Sequence, residues 1–207
     1  MSNFKGTIEV SGWENVKRSA LVTIHKKWTG KEITSEWKEN ILLSRHSPIR
    51  QLRIEVYYEE IPRWIADQLV RHTVGVDNYM GTMRTDRGNK DRSEQRMTDV
   101  TEFLQVYNGE SFIKAASTRM CLGCVSSETR EYLEAVVGAL KEIEPELALM
   151  CTPPCIERLG CKEIGFTKCN HLDRFFGYCD LHCDPTTLRY DHILGRYRAY
   201  QAFREDE

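Results

Sequence analysis

Gln68-Leu-Val-Arg71-His72 sets an amide, a guanidinium and an imidazole side by side, and a run of Arg84, Arg87, Lys90, Arg92 and Arg96 follows it. Arginine forks match the geometry of phosphate and carboxylate groups, so this stretch could hold an anionic ligand. Arg71 and His72 also end a predicted helix. The negatively polarised helix terminus stabilises a cationic pair there with no ligand at all. A charge run is, equally, an ordinary solvated face. The structured pair directly ahead of the loop is what makes it chemically interesting.

Thiols are the second chemical resource. Of eight cysteines, six fall between Cys151 and Cys183, and the others are Cys121 and Cys124. Clustered thiols in a reducing compartment point to metal ligation more often than to disulfides. Cys155, Cys161 and Cys169 follow a C-x5-C-x7-C spacing in a stretch without apolar periodicity, and Cys121 could supply a fourth thiolate. A tetrahedral structural zinc on Cys121, Cys155, Cys161 and Cys169 is therefore expected, stiffening a segment with no core of its own. Any single cysteine in the set could instead be packing.

The elements that must position these residues are those of one domain. The 207 residues are 41% hydrophobic and carry a net charge of −2, which allows a substantial core and gives no general attraction to nucleic acid. The start, MSNFKGTIEV, lacks the pattern of a signal peptide, and no stretch is long and apolar enough to span a bilayer. A cytoplasmic protein with no membrane partner is expected.

Alternation predicts strands at Thr7–Val10 and Leu52–Tyr58, the latter with Leu52, Ile54, Val56 and Tyr58 on one side. Helices are predicted at Glu14–Ile24, Glu36–Leu43 (capped by Thr34 or Ser35), Arg63–Arg71 behind Pro62, Glu110–Met120 and Ser127–Ile143. Thr101–Tyr107 also reads as helical. After Pro145 the periodicity breaks, and only a short helix near Leu194–Phe203 is expected. The fold class is α+β, with a domain over residues 1–150 and a cysteine-rich extension over 151–207.

In order and spacing these motifs resemble the flavin-dependent thymidylate synthases. That family's signature is Arg-His-Arg, seven residues, then Ser, with Gln three positions before the first Arg. Here stand Gln68, Arg71, His72, Thr73 and, after seven intervening residues, Gly81. Upstream, SRHSPIR resembles the family's His, small residue, Pro segment, with His46 and Ser47 in place. Downstream, Asn108 lies eleven residues before Arg119, as the family's flavin-contacting Asn lies before its nucleotide-binding Arg. Ser127-Glu128-Thr129-Arg130 resembles a further family segment. The likeness runs from about Glu14 to Leu149.

The resemblance implies a mixed sheet with helices, FAD as cofactor, and methylenetetrahydrofolate and NADPH as co-substrates. It also implies a homotetramer whose active sites are shared between chains. The reaction would methylate C5 of a pyrimidine deoxynucleotide, dUMP first and dCMP as the alternative. By the same carry-over, Arg71, His72, Thr73, Asn108, His46 and Ser47 would contact flavin. Gln68, Gly81, Thr82, Arg84, Arg92 and Arg119 would hold the nucleotide, with Arg119 and Arg71 catalytic. Departures fall at Thr73 (Arg in the family), Gly81 (Ser), Tyr79 (acidic), Arg50 (Glu) and Arg84, one position late. They leave room for a divergent enzyme, for a lapsed one, or for a zinc-stabilised module touching nucleic acid phosphates through Arg84–Arg96. The acidic balance argues against that last reading.

Overall fold

The computed structural model describes residues 4–87, 91–163, 165, 169–189 and 191–206. The chain divides into two compact units, one made of Met1–Ile33 and His46–Phe112, the other of Thr34–Arg45 and Ile113–Glu207.

Among the described residues the first unit is built on four strands: β1 (Gly6–Ser11), β2 (Arg53–Pro62), β3 (Val76–Met80) and β4 (Val100–Asn108), in the order β1-β2-β4-β3. Every pairing is antiparallel, which corrects the expected mixed sheet. In β2 the alternation does what it predicts. Ile54, Val56 and Tyr58 are buried while Arg53, Glu59 and Glu60 face water. Tyr58 stacks on Phe103 of β4 with ring centroids 5.7 Å apart. Helix α1 (Trp13–Val22) contributes Val16 to this core, and the 3-10 helix Ser47–Gln51 contributes Ile49. Ile65, Ala66 and Leu69 come from α3 (Arg63–Leu69), which packs on β2 and β4. Burying each large aliphatic or aromatic side chain contributes about 1.5–3 kcal/mol.

Two elements differ from expectation. Residues 101–107, read as helical, form the interior strand β4, whose outward side also carries apolar residues, Leu104 and Val106. Apolar residues on both faces imitate a helical stripe. Strand β3 lies inside the expected loop. Its sequence VDNYM buries only Val76, so it owes its form to backbone pairing with β4 rather than to a hydrophobic pattern.

The second unit is helical: α2 (Ser35–Leu43), α5 (Ser127–Ile143), α6 (Pro145–Leu149), α7 (Pro154–Arg158), α8 (His171–His182) and α9 (Ile193–Asp206), joined by the later turns of α4 (Gly109–Arg119). Ser126 caps α5 by accepting a hydrogen bond from Thr129 N at 3.3 Å, and Leu133, Val136 and Leu140 form its buried stripe. Helix α6 packs against α2, α5 and α9, and α7 and α8 both pack on α9.

The cysteine-rich segment was expected to lack a core, and the structure corrects this. Ile156, Phe175, Cys179, Tyr200 and Phe203 form a buried cluster. Phe175 meets Tyr200 and Phe203 edge-on, each at 5.8 Å. His171 and Tyr200 share a buried hydrogen bond of 3.0 Å between Nε2 and the hydroxyl. Helix α8 had no aliphatic stripe to betray it, because its buried residues are His171, Phe175 and Cys179.

Candidate functional site

Arg71, His72 and Thr73 follow the last turn of α3, where His72 N donates to Leu69 O at 3.2 Å. The next turn is held by side chains of the sheet. Asn78 Nδ2 donates to His72 O at 3.3 Å, and Gln105 Nε2 donates to Asn78 Oδ1 at 2.8 Å. Gln105 is fully buried in β4, and its Oε1 has no hydrogen-bond partner among the described residues. This relay fixes the backbone that carries the Arg-His pair.

Gly75 then turns the chain into β3 with φ +70°. Its carbonyl accepts from Asn108 N at 3.1 Å and from Ser111 Oγ at 2.6 Å. Asn108 is the cap of α4, its Oδ1 accepting from Ser111 N at 2.9 Å. Its Nδ2 faces Gly75. The loop bearing Thr73 and the start of α4 are thereby locked together.

Thr73 and Asn108 line one cleft of about 370 Å³, along with Arg50, Arg53, Gly75 and Asp77. Arg50 Nε contacts Glu110 Oε2 at 2.5 Å, and Arg53 Nε contacts Glu55 Oε1 at 2.6 Å. The hydrogen bond to Glu110, helped by its charge, raises the pKa of Arg50 above the ordinary arginine value. The cleft therefore offers fixed donors, two guanidinium groups and a carboxylate. Such a set suits a polar heterocycle or a phosphate-bearing ligand better than an apolar one.

The remaining expected site residues are placed as follows. His46 and Ser47 are exposed at the start of the 3-10 helix whose far end, Arg50 and Gln51, lines the cleft. Arg71 is exposed; His72 and, in α3, Gln68 are half-buried. None of these five lines the cleft. Gly81 belongs to a separate groove with Tyr57, Tyr79 and Glu102. The Gly81 carbonyl accepts from the buried Arg63 at 3.1 Å. Beyond it Thr82 Oγ1 accepts from Arg84 N at 3.1 Å, and Arg84 grips Asp86 through two nitrogens at 2.9 and 2.7 Å. The structure thus brings Thr73 and Asn108 together but not Gly81, Thr82 and Arg84 with them. The side chain of Arg92 and all of Lys90 lie outside the described residues. Arg119 is half-buried at the C-terminal end of α4, in the helical unit.

Sequence reading missed Gln105, Asn78, Gly75 and Ser111 as the residues that set this geometry. A glycine three positions past His72 was the one available sign. The sheet relay joins residues that are far apart in sequence, so no local pattern announces it.

In the helical unit, Cys121 is buried just past α4, and Cys124 is exposed. Cys155 opens α7 and lies within electrostatic reach of Cys121, Cys161 and Cys169. Burial, then those neighbouring thiols, push Cys155 up to about 12. Burial, then the Cys121 thiol, push Cys124 up to about 11. Of the four cysteines expected to bind zinc, Cys155 feels the other three electrostatically. Among the described residues, however, no three His, Cys, Asp or Glu side chains already converge at metal-ligand spacing. A separate cavity of about 250 Å³ has Met120, Val137, Gly138, Cys151 and Tyr200 among its walls. Among the described residues no helix is long and apolar enough to cross a membrane.

No family sequence model matches the chain, and no curated protein sequence matches it. Solved structures do. A flavin-dependent thymidylate synthase, ThyX from Helicobacter pylori, complexed with FAD and dUMP, superposes with a TM-score of 0.58 at 12% identity, covering 70% of this chain and 97% of that one. A second ThyX structure from the same organism, also with FAD and dUMP, gives 0.55 at 10% identity, covering 71% and 97%. At this identity the likeness speaks for architecture, and the architecture is that of the flavin-dependent thymidylate synthases.

Proposed function

We propose that this chain is a flavin-dependent enzyme that transfers a one-carbon unit from methylenetetrahydrofolate to C5 of a pyrimidine deoxynucleotide, dUMP before dCMP, with NADPH as reductant. The observation that carries the reading is the cleft lined by Thr73 and Asn108, built on a fold shared with structures that hold FAD and dUMP. The donors there fit the polar edge of a flavin, and FAD, when bound, would supply the hydride. Thr73 and Asn108 would orient it from the cleft, with Arg71, His72, His46 and Ser47 on the segments that lead into it. Arg119, with Gln68, would hold the pyrimidine ring and stabilise negative charge developing on its carbonyl. Gly81, Thr82, Arg84 and Arg92 would take the phosphate end. Because Arg84 is paired with Asp86, nucleotide would have to displace that carboxylate. The working assembly would be a homotetramer, and the compartment the cytoplasm, where eight free thiols persist. Zinc is a separate question that rests on those thiols alone.

Protein purified with added FAD and then desalted should keep a flavin spectrum. With methylenetetrahydrofolate and NADPH it should then release label from C5 of dUMP faster than from C5 of dCMP. A colourless protein without FAD affinity sinks the reading. Flavin binding without label release from either nucleotide favours a lapsed enzyme.

A further inference from the structure

Tyr57 of β2, Leu104 of β4 and Tyr79 of β3 stand in one row across the sheet, each paired in register with the next. Residues paired in this way share a face, so all three lie opposite the core that Tyr58 and Phe103 occupy. Tyr79 is 60% exposed, which leaves its ring available to a ligand. Two strand spacings, about 9.5 Å, separate the tyrosines at the backbone. A flat ring midway between them would lie about 4.8 Å from each, inside the roughly 4.5–7 Å over which aromatic rings pair. With Glu102, Met80 and Gly81 the row lines a groove of about 520 Å³, room for a bicyclic ring and its substituent.

The charge of the walls narrows the choice of ring. Glu102 is the charged residue among the described walls, and none of them is a lysine or arginine. Its Oε1 accepts from the Tyr57 hydroxyl at 2.9 Å, which fixes the carboxylate beside one tyrosine. The Asn78 amide is engaged elsewhere, by His72 O and Gln105. A carboxylate only accepts hydrogen bonds, and its two oxygens match two N–H groups side by side. Pterin and guanine both present that pair, a ring N–H next to the 2-amino group. Uracil offers one N–H between two carbonyls, and cytosine an amino group beside a bare ring nitrogen. Each of those would also turn an acceptor toward Glu102.

The groove adjoins the cleft of Thr73 and Asn108. Asp77 and Val106, which line that cleft, pair in the next row, two residues along their strands from Tyr79 and Leu104. Two residues along a strand span about 6.8 Å, so occupants of the two sites would be neighbours.

We propose that the groove of Tyr57, Leu104 and Tyr79 is a second ligand site, which holds a pterin or guanine ring between the tyrosines with Glu102 on its N–H edge. A folate and a guanine nucleotide are two sources of the same chemistry. The site does not rest on the flavin reading. Pterin binding by a chain without FAD affinity would keep this site and sink that reading.

Pterin and guanosine, titrated onto the full chain and followed by calorimetry, should both bind. Lumazine and inosine, which lack the 2-amino group, should bind at least about tenfold more weakly. Glu102→Gln, which can still accept from Tyr57, should erase that preference. Tyr79→Ala should weaken all four ligands, and Tyr79→Phe should restore them. Both positions are exposed, so the thermal midpoints of these variants should match the parent. Tighter binding of tetrahydrofolate than of GMP would assign a folate to the site, and the reverse a guanine nucleotide. No binding of pterin or guanosine, or binding that Tyr79→Ala and Glu102→Gln leave unchanged, would overturn the site. Equal affinity for pterin and lumazine would overturn the role of Glu102.

Discussion

Gly75 and Asn108 are fitted so closely that a Cβ on Gly75 would lie 2.2 Å from Asn108 Nδ2. The same glycine has φ +70°, a conformation that side-chain-bearing residues rarely adopt. Two independent constraints, steric and conformational, therefore fall on one position. Both act at the junction of the loop carrying Thr73 with the start of α4.

Gly75→Ala should accordingly destabilise the sheet unit by about 1–3 kcal/mol and weaken flavin binding with it. Denaturant unfolding and a flavin titration would measure both. Gly138 is the contrast. It sits inside α5 where a Cβ meets nothing within 4 Å, so Gly138→Ala should stabilise by up to about 1 kcal/mol. An unchanged midpoint for Gly75→Ala would show that the junction tolerates a shift.

Asn108 has two roles that one substitution separates. Aspartate caps a helix as well as asparagine does, so Asn108→Asp should keep stability within about 0.5 kcal/mol. It removes the Nδ2 donor and adds negative charge to the cleft, so FAD affinity should fall. Full FAD affinity in a stable Asn108→Asp protein would confine this residue to capping.

Arg119→Ala should weaken nucleotide binding by about 2–5 kcal/mol, since it removes a charge paired with ligand in a desolvated site. Flavin binding should change little. Calorimetry with dUMP, before and after FAD loading, separates the two effects. Loss of flavin affinity instead would reassign the residue.

Burial pushes Cys151 up to about 12, against an ordinary thiol value of 9.0. The folded chain therefore holds that proton more tightly than the unfolded chain. Its contribution to stability is intact below pH 9.0 and is lost progressively as pH rises toward about 12. Stability measured across that window should fall less steeply in Cys151→Ala than in the parent chain. Equal slopes would mean that other buried groups, Tyr58 and Cys179 among them, carry the alkaline dependence.

Sequence alone determined the elements whose information is local. The bounds expected for α5, Ser127 and Ile143, are those of the structure, with Leu133, Val136 and Leu140 on its buried stripe. Thr34 caps α2, accepting from Trp37 N at 3.3 Å, and Pro62 precedes α3. Capping and periodicity involve residues within one or two turns, so they can be read along the chain. The motif residues around Arg71 and His72 were legible for the same reason, as types at fixed spacing.

Tertiary structure alone decided what depends on partners distant in sequence. Strand β4 lies between β2 and β3, so Gln105 can be buried and bonded to Asn78 while Leu104 and Val106 occupy the other face. Apolar side chains on both faces hide the alternation by which a strand would be recognised. Strand β3 exists because β4 completes its hydrogen bonds, and α8 because Tyr200 and Phe203 receive Phe175. The pairing of Thr73 with Asn108 rests on the Gly75 carbonyl, which accepts from two residues more than thirty positions away. Hydrogen bonds and burial of this kind carry free energy but leave no periodicity in the sequence.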